Sequence, residues 1–307
     1  MSELVITHES EVTEDQIDHL GHMNVRYYAE NARAGTAALL AGMPGWGRHP
    51  YVVHDVYTRH HREQLLGTAL VVRSAVLGAN ADGVQLHHEL AARDTGALAA
   101  TFVHRVSPLD EGGERASVAD RLCTAAQDLA LSAPPPYATT RTISLDADPV
   151  ASAPSLAEAR TRGLAMRRER LVTAEECDAA GRYIPSLAPM LVWGGQPVGR
   201  DTGPWLEAMP DGRLMGWASM ETRIQTMRLP TVGERVQSFG ATVAVHDKVT
   251  HRIHWCFDVE RDELLAAFEI VNMAFDTRAR RPMSIPDAHR QRELSALQPD
   301  LTPRPRA

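Results

Sequence analysis

The 307-residue chain reads as an α+β protein of two similar halves, each a curved antiparallel sheet wrapping one central helix. Three observations predict this. The length suits two domains of ordinary size. A set of residues recurs in one order at nearly constant separation. Each half also runs through one helix-like stretch followed by four strand-like stretches set apart by turn signals.

The recurrence is faint but ordered. Val12-Thr13, Asp18 and Gly21 return as Val172-Thr173, Asp178 and Gly181, an offset of 160. Gly67, His88 and Phe102 return as Gly233, His254 and Phe268, an offset of 166. The offsets agree if about six residues are inserted in the second copy, and the Gly- and Pro-rich stretch Gly194 to Pro210 is the natural place. A shared order at shared spacing is the signature of an internal repeat.

In the first copy a strand near 4–13 leads to a turn at Asp18–Gly21. A helix is expected over Asn24–Leu40, with Asn24 as its N-cap and Gly42, Pro44 and Gly45 as its stop. Its small residues, Ala29, Ala32, Ala34, Gly35, Ala37 and Ala38, suit a helix pressed closely onto a sheet. Strands are expected over Tyr51–Arg62, Thr68–Leu77, Val84–Arg93 and Ala97–Val106. The second copy gives a strand over Gly163–Thr173 and a helix over Ile184–Trp193, shorter or less regular because of Pro185 and Pro189. Its strands fall near Arg213–Met227, Arg235–Val245, Thr250–Val259 and Leu264–Phe275. Glu114–Leu131 reads as a connecting helix. The division is therefore 1–135 for the first domain, 136–160 for a linker, 161–290 for the second domain and 291–307 for a loose tail.

Composition excludes several classes. A net charge of −7 argues against a general nucleic-acid binder, which needs a basic face for phosphates. Cys123, Cys177 and Cys256 are isolated, so neither a disulfide framework nor a structural zinc is expected. No apolar run nears the ~20 residues of a membrane span, and no signal peptide is read, so the expected location is cytoplasmic.

The densest polar cluster is Asp18-His19-Leu20-Gly21-His22-Met23-Asn24, followed by Tyr27 and Tyr28. It stands at the start of the first helix, where backbone N–H groups lack partners and the dipole is positive. Such a terminus polarises a carbonyl and stabilises the oxyanion that forms on it. A carboxylate alongside attacks that carbonyl or activates a water. These are the parts for acyl transfer to water. Asp18 also suits capping of the turn, Asn24 capping of the helix, and the tyrosines the core. His61 and Glu63 are candidates to project into the same groove, Glu63 as an alternative base. His54, His60 and His61 match no zinc spacing, and no metal is expected.

The run Asp18-x-x-Gly21-His22-x-Asn24-x-x-Tyr27 resembles the signature of hotdog-fold acyl-CoA thioesterases of the 4-hydroxybenzoyl-CoA thioesterase-like group. Val12 and Leu65-Leu66-Gly67-Thr68 resemble it too, although Thr68 stands where the family often has an acid. The resemblance covers roughly 4–108, and reaches the second half only through the repeat. It implies a double hotdog, paired as an intramolecular pseudo-dimer, with further association into homo-oligomers left open. It implies Asp18 as nucleophile or general base, helix N–H groups as oxyanion hole, and His22 and Asn24 as proton-handling or positioning groups. Gly21, Tyr27, Tyr28, His61 and Glu63 are the expected substrate-binding residues. The expected substrate is an acyl-CoA of unspecified acyl group, with coenzyme A as part of the substrate and no other cofactor. An enoyl-CoA hydratase or dehydratase, and a non-catalytic acyl-CoA-binding protein, are the alternatives. The second copy reads Asp178-Ala179-Ala180-Gly181-Arg182-Tyr183-Ile184. It keeps acid and glycine but loses histidine and asparagine, so one working site per chain is expected.

Overall fold

A computed structural model describes residues 4–18, 20–111, 113–198 and 206–305. His19 and Trp205 therefore lie outside the described residues. The chain divides into two compact units, Met1–Thr140 and Arg141–Ala307.

The first unit contains β1 (Val5–Glu11), α1 (Val25–Ala41), β2 (Tyr51–His60), β3 (Ala69–Asn80), β4 (Gly83–Ala92), β5 (Leu98–Pro108) and α2 (Asp120–Gln127). The strands are antiparallel in the order β1-β3-β4-β5-β2. The helix lies on β1, β3 and β4 through Tyr28, Ala32, Gly35, Thr36 and Leu40, a stripe at helical spacing. Gly35 makes the approach possible, since a Cβ there would stand 2.8 Å from Val72 Cγ1 and 3.1 Å from Thr7 Oγ1. Beneath the helix runs a polar chain. Thr36 Oγ1 lies 2.9 Å from both His88 Nε2 and His104 Nδ1, and Ser74 Oγ lies 2.7 Å from His88 Nδ1. Burial pushes His88 down to about 3 and His104 well below the usual histidine range. Beyond this chain Leu40, Met43 and Trp46 pack on Val76, Leu86, Val106 and Leu122.

The second unit contains α3 (Leu156–Thr161), β6 (Ala165–Arg167), α4 (Ala188–Trp193), β7 (Leu214–Thr226), β8 (Arg235–Val245), β9 (Val249–Asp258), β10 (Glu263–Asp276) and α5 (Asp287–Ser295). Its antiparallel order is β6-β8-β9-β10-β7, the order of the first unit. The register agrees as well. Ser74, His88 and Phe102 are cross-strand neighbours, and so are Gly240, His254 and Phe268. The helix differs. A 3-10 turn over Pro185–Leu187 precedes α4, and α4 has 6 residues where α1 has 17. Pro185 and Pro189 remove two N–H groups from this stretch, as the sequence suggests.

Three sequence expectations need correction. The connecting helix shrinks to α2, because Ala116 and Val118 instead donate backbone bonds to Pro108 and Ala81. The stretch 136–160 is no loose linker: its end begins α3, and Leu156 and Ala159 are buried with Phe239, Trp255 and Phe257. Nor is the region from 291 a loose tail. It continues α5, buries Leu301 in the same cluster and pairs Arg304 and Pro305 with Asp148 and Ala147. One physical cause covers the last two. The sheet face carrying Phe239, Trp255 and Phe257 is apolar and needs cover.

Candidate active site

The Asp18 turn is closed by backbone bonds. The Asp18 N–H donates to His22 O (2.9 Å) and the Gly21 N–H to Asp18 O (3.0 Å), with Gly21 at φ +84° in the left-handed region. The Met23 N–H donates to Gln64 O (2.8 Å) and the Asn24 N–H to Gln16 O (2.9 Å). The stretch after β2 is thereby fastened against the start of α1. Gln64 is buried and supplies this clamp, a role that no sequence signal announces.

This clamp brings Glu63 to the turn. Asp18 Oδ1 accepts the Leu20 N–H at 2.8 Å, which leaves Oδ2 toward His22 Nδ1 at 3.4 Å. On the other side of the ring, His22 Nε2 lies 3.6 Å from Glu63 Oε1. One imidazole thus stands between two carboxylates. The Asp18 and His22 side chains are 16% and 18% exposed and Glu63 is 42% exposed, so the group is open to a substrate. Asn24 caps α1, its Oδ1 accepting the Arg26 N–H at 3.0 Å. Among the described residues the neighbouring Val25 N–H has no partner. That N–H, at the positive end of a 17-residue helix, can donate to a developing oxyanion.

The remaining expected site residues have partners within the fold. The Tyr28 ring is buried, packs edge-on to His60 and donates its hydroxyl to Arg62 O at 3.2 Å. Burial pushes its phenol up to about 12. Tyr27 donates to Asp15 O at 3.3 Å. His61 turns to Thr101 Oγ1 (3.2 Å) and the ring of Tyr137. Burial, then the charge of Arg59, lowers the pKa of His61. Among the described residues no group of three or more His, Cys, Asp and Glu is placed to hold a metal ion. No described helix is long and apolar enough to cross a membrane.

The second unit repeats the turn bond for bond. The Asp178 N–H donates to Arg182 O, Gly181 to Asp178 O, Tyr183 to Pro230 O and Ile184 to Glu176 O. Its chemistry differs. Asp178 Oδ1 accepts the N–H groups of Ala180 and Arg182, both at 2.9 Å, and Oδ2 meets the Arg182 guanidinium at 3.1 Å. The Arg182 N–H first, then the Arg182 side chain, hold this carboxyl below its usual range. Ile184 offers no side-chain cap. The described tryptophans of this unit lie apart. Trp193 packs on Phe268, whereas Trp255 lies with Phe239 and Leu156, and Trp217 joins a separate cluster with Met209 and Met215.

Comparison with known proteins bears on both units. Residues 12–136 match the model of the thioesterase-like superfamily. No curated protein matches the chain by sequence. Among solved structures, a putative oleoyl thioesterase from Lactobacillus plantarum is similar at 12% identity and a TM-score of 0.59, over 89% of this chain and 96% of that one. A 12:0-ACP thioesterase from Umbellularia californica is similar at 9% identity and a TM-score of 0.61, over 87% and 93%. An acyl-ACP thioesterase from Bacteroides thetaiotaomicron is similar at 10% identity and a TM-score of 0.55, over 86% and 96%. At such identities these likenesses establish the fold, that of the hotdog thioesterases.

Proposed function

We propose that the first unit, whose residues 12–136 match the model of the thioesterase-like superfamily, hydrolyses an acyl-CoA thioester at the Asp18 turn. Thioester hydrolysis is the chemistry of that family. The site, the carrier and the double-hotdog arrangement of the two units are our reading. The observation that carries it is the His22 ring between Asp18 and Glu63 beside the unpartnered Val25 N–H.

In this reading the thioester carbonyl oxygen points to the Val25 N–H. Asp18, as general base, takes a proton from water while the water oxygen bonds to the carbonyl carbon. The negative charge moves to the carbonyl oxygen, where a preorganised donor lowers the barrier. Collapse restores the carbonyl and breaks the C–S bond. The thiolate leaves with a proton handed on by His22, which Glu63 steadies from its far side. The cysteine thiol ionises near 8.5 and a simple alkyl thiol higher still, so a proton from His22 assists the departure. Direct attack by Asp18, giving an anhydride, would use the same geometry. Asp178, tied to Arg182, has no equivalent role.

Two of the three similar structures are acyl-ACP thioesterases by name, so both carriers belong in the test. Thiol release is measured across acyl-CoAs of varied chain length and polarity and across matching acyl-ACPs, with Asp18→Asn as control. Release from at least one acyl-CoA, lost in the control, is expected. Release from acyl-ACPs alone would overturn the choice of carrier, and no release above the control on any substrate would overturn the reading.

A further inference from the structure

Glu63 stands just past the end of β2, and the peptide groups on either side of it are held by one buried side chain. Gln64 is 3% exposed. Its Nε2 donates to Glu63 O at 2.9 Å and to Arg62 O at 3.2 Å. Those carbonyls belong to the peptide planes after and before the Glu63 Cα, and the angle between the planes is set by φ and ψ of Glu63. One amide, with its two hydrogens, therefore fixes both torsions. A further donor joins it. The buried Tyr28 hydroxyl reaches Arg62 O at 3.2 Å, its ring held edge-on to His60. A carbonyl oxygen has two lone pairs, so Arg62 O accepts both donors. Burial pushes the Tyr28 phenol up to about 12, so it remains a donor near neutral pH.

The second unit shows how little of this the fold itself needs. Its backbone follows the same path. The Met227 and Arg228 N–H groups donate to Leu265 O as those of His61 and Arg62 donate to Ala99 O. The Tyr183 N–H donates to Pro230 O as that of Met23 donates to Gln64 O. Yet Leu229, Pro230 and Ala188 stand where the first unit has Glu63, Gln64 and Tyr28. The Pro230 ring sets its own φ, and the turn is made without an amide or a phenol. The acid and both of its side-chain supports are thus absent together. Aim matters at this range. Glu63 Oε1 is 3.6 Å from His22 Nε2, and a catalytic group works only within about 0.5 Å and 10–20° of its productive geometry. The Glu63 side chain is 42% exposed, so packing alone does not fix its direction.

We propose, resting on the reading of the Asp18 turn given above, that Gln64 is a positioning residue for the hydrolysis, with Tyr28 as its second support. The Gln64 amide and the Tyr28 hydroxyl hold the backbone that aims the Glu63 carboxylate at His22. Both side chains are buried and act through Glu63. The clamp from the Met23 N–H to the Gln64 backbone carbonyl is a separate contact, and it survives a change of side chain.

The test is a double-variant cycle on the full chain, read as steady-state thiol release from the best substrate of the screen above. Gln64→Leu nearly keeps the side-chain volume but removes both amide bonds. It should lower kcat about tenfold, the worth of one or two hydrogen bonds. KM should move by less than about twofold, because no contact with substrate is lost. Tyr28→Phe should lower kcat about threefold. In a Glu63→Ala background neither substitution should change kcat by more than about twofold, since the group they aim is gone. Circular dichroism melts check the folding of each variant, and Tyr28→Phe carries the same cycle if Gln64→Leu does not fold. Equal losses with and without Glu63 would make both side chains structural only and would overturn the proposal. So would an unchanged kcat in both variants, or a loss carried by KM. Asp18→Asn separates the two failures. Activity retained there removes the Asp18 reading and the proposal with it, whereas activity lost there, with independent Gln64 and Glu63 effects, overturns the proposal alone.

Discussion

Asp18 and Asp178 occupy the same place in the same turn, and the residue four positions on separates their chemistry. Asp18 faces a histidine that can move a proton, whereas Asp178 faces a guanidinium that cannot. Substituting His22→Asn should lower kcat by ~10²–10⁴ and change KM less, as read from steady-state thiol release. Glu63→Gln should cost less than His22→Asn, because it leaves the ring and Asp18 in place. An equal loss would make Glu63 the base rather than a steadying group. The closeness of Asp18, His22 and Asn24 was legible in the sequence because they fall within one short turn. The partnership with Glu63 was legible only as a candidate, since it depends on the Met23–Gln64 backbone bond across 41 positions. Tyr27, Tyr28 and His61 each bond within the fold, to Asp15 O, Arg62 O and Thr101 Oγ1.

Among the elements, α1 is held closely by its neighbours. Gly35→Ala should raise intrinsic helix propensity by ~1 kcal/mol. Forcing a methyl against Val72 should cost ~1–3 kcal/mol. Urea unfolding is therefore expected to show a net loss of stability, and a gain would mean that α1 sits less tightly than the contacts indicate. The polar chain beneath α1 predicts a pH effect. His88 and His104 titrate lower in the folded chain than in the unfolded one, where histidine is near 6.5. The unfolded chain thus binds more protons below that pH. Their contribution is full above about 6.5 and falls as pH drops toward the His88 value of about 3. The thermal midpoint should decline from about pH 7 to pH 5 and decline less in His88→Gln. Strand positions were legible to within a few residues because alternation and turn residues mark them. The α5 helix was not, because its buried side chains include His289 and Glu293 and give no apolar rhythm. Glu293 is held inside by Thr242, a partner 51 positions away.

At the scale of the whole chain, the two units share strand order, register and the backbone of one turn, yet divide in chemistry. The first has the long helix, the cap at Asn24 and the histidine between carboxylates. The second has a short helix, an aspartate neutralised by arginine and polar positions where the first has core. The faint repeat in the sequence was enough to expect both the likeness and the loss of His22 and Asn24 from the second copy. The polar positions stayed hidden, because Arg252 and Asn272 read as ordinary strand residues until the register shows that they take the places of Leu86 and Val106. The account stands or falls on which aspartate works. Asn at either position can still accept the turn's backbone bonds, so loss of activity reports chemistry rather than folding. The decisive measurement is thiol release by Asp18→Asn and Asp178→Asn on the same acyl thioester. Asp18→Asn should lose ~10²-fold or more in kcat while Asp178→Asn stays within about twofold of wild type. An equal or larger loss in Asp178→Asn would contradict the assignment.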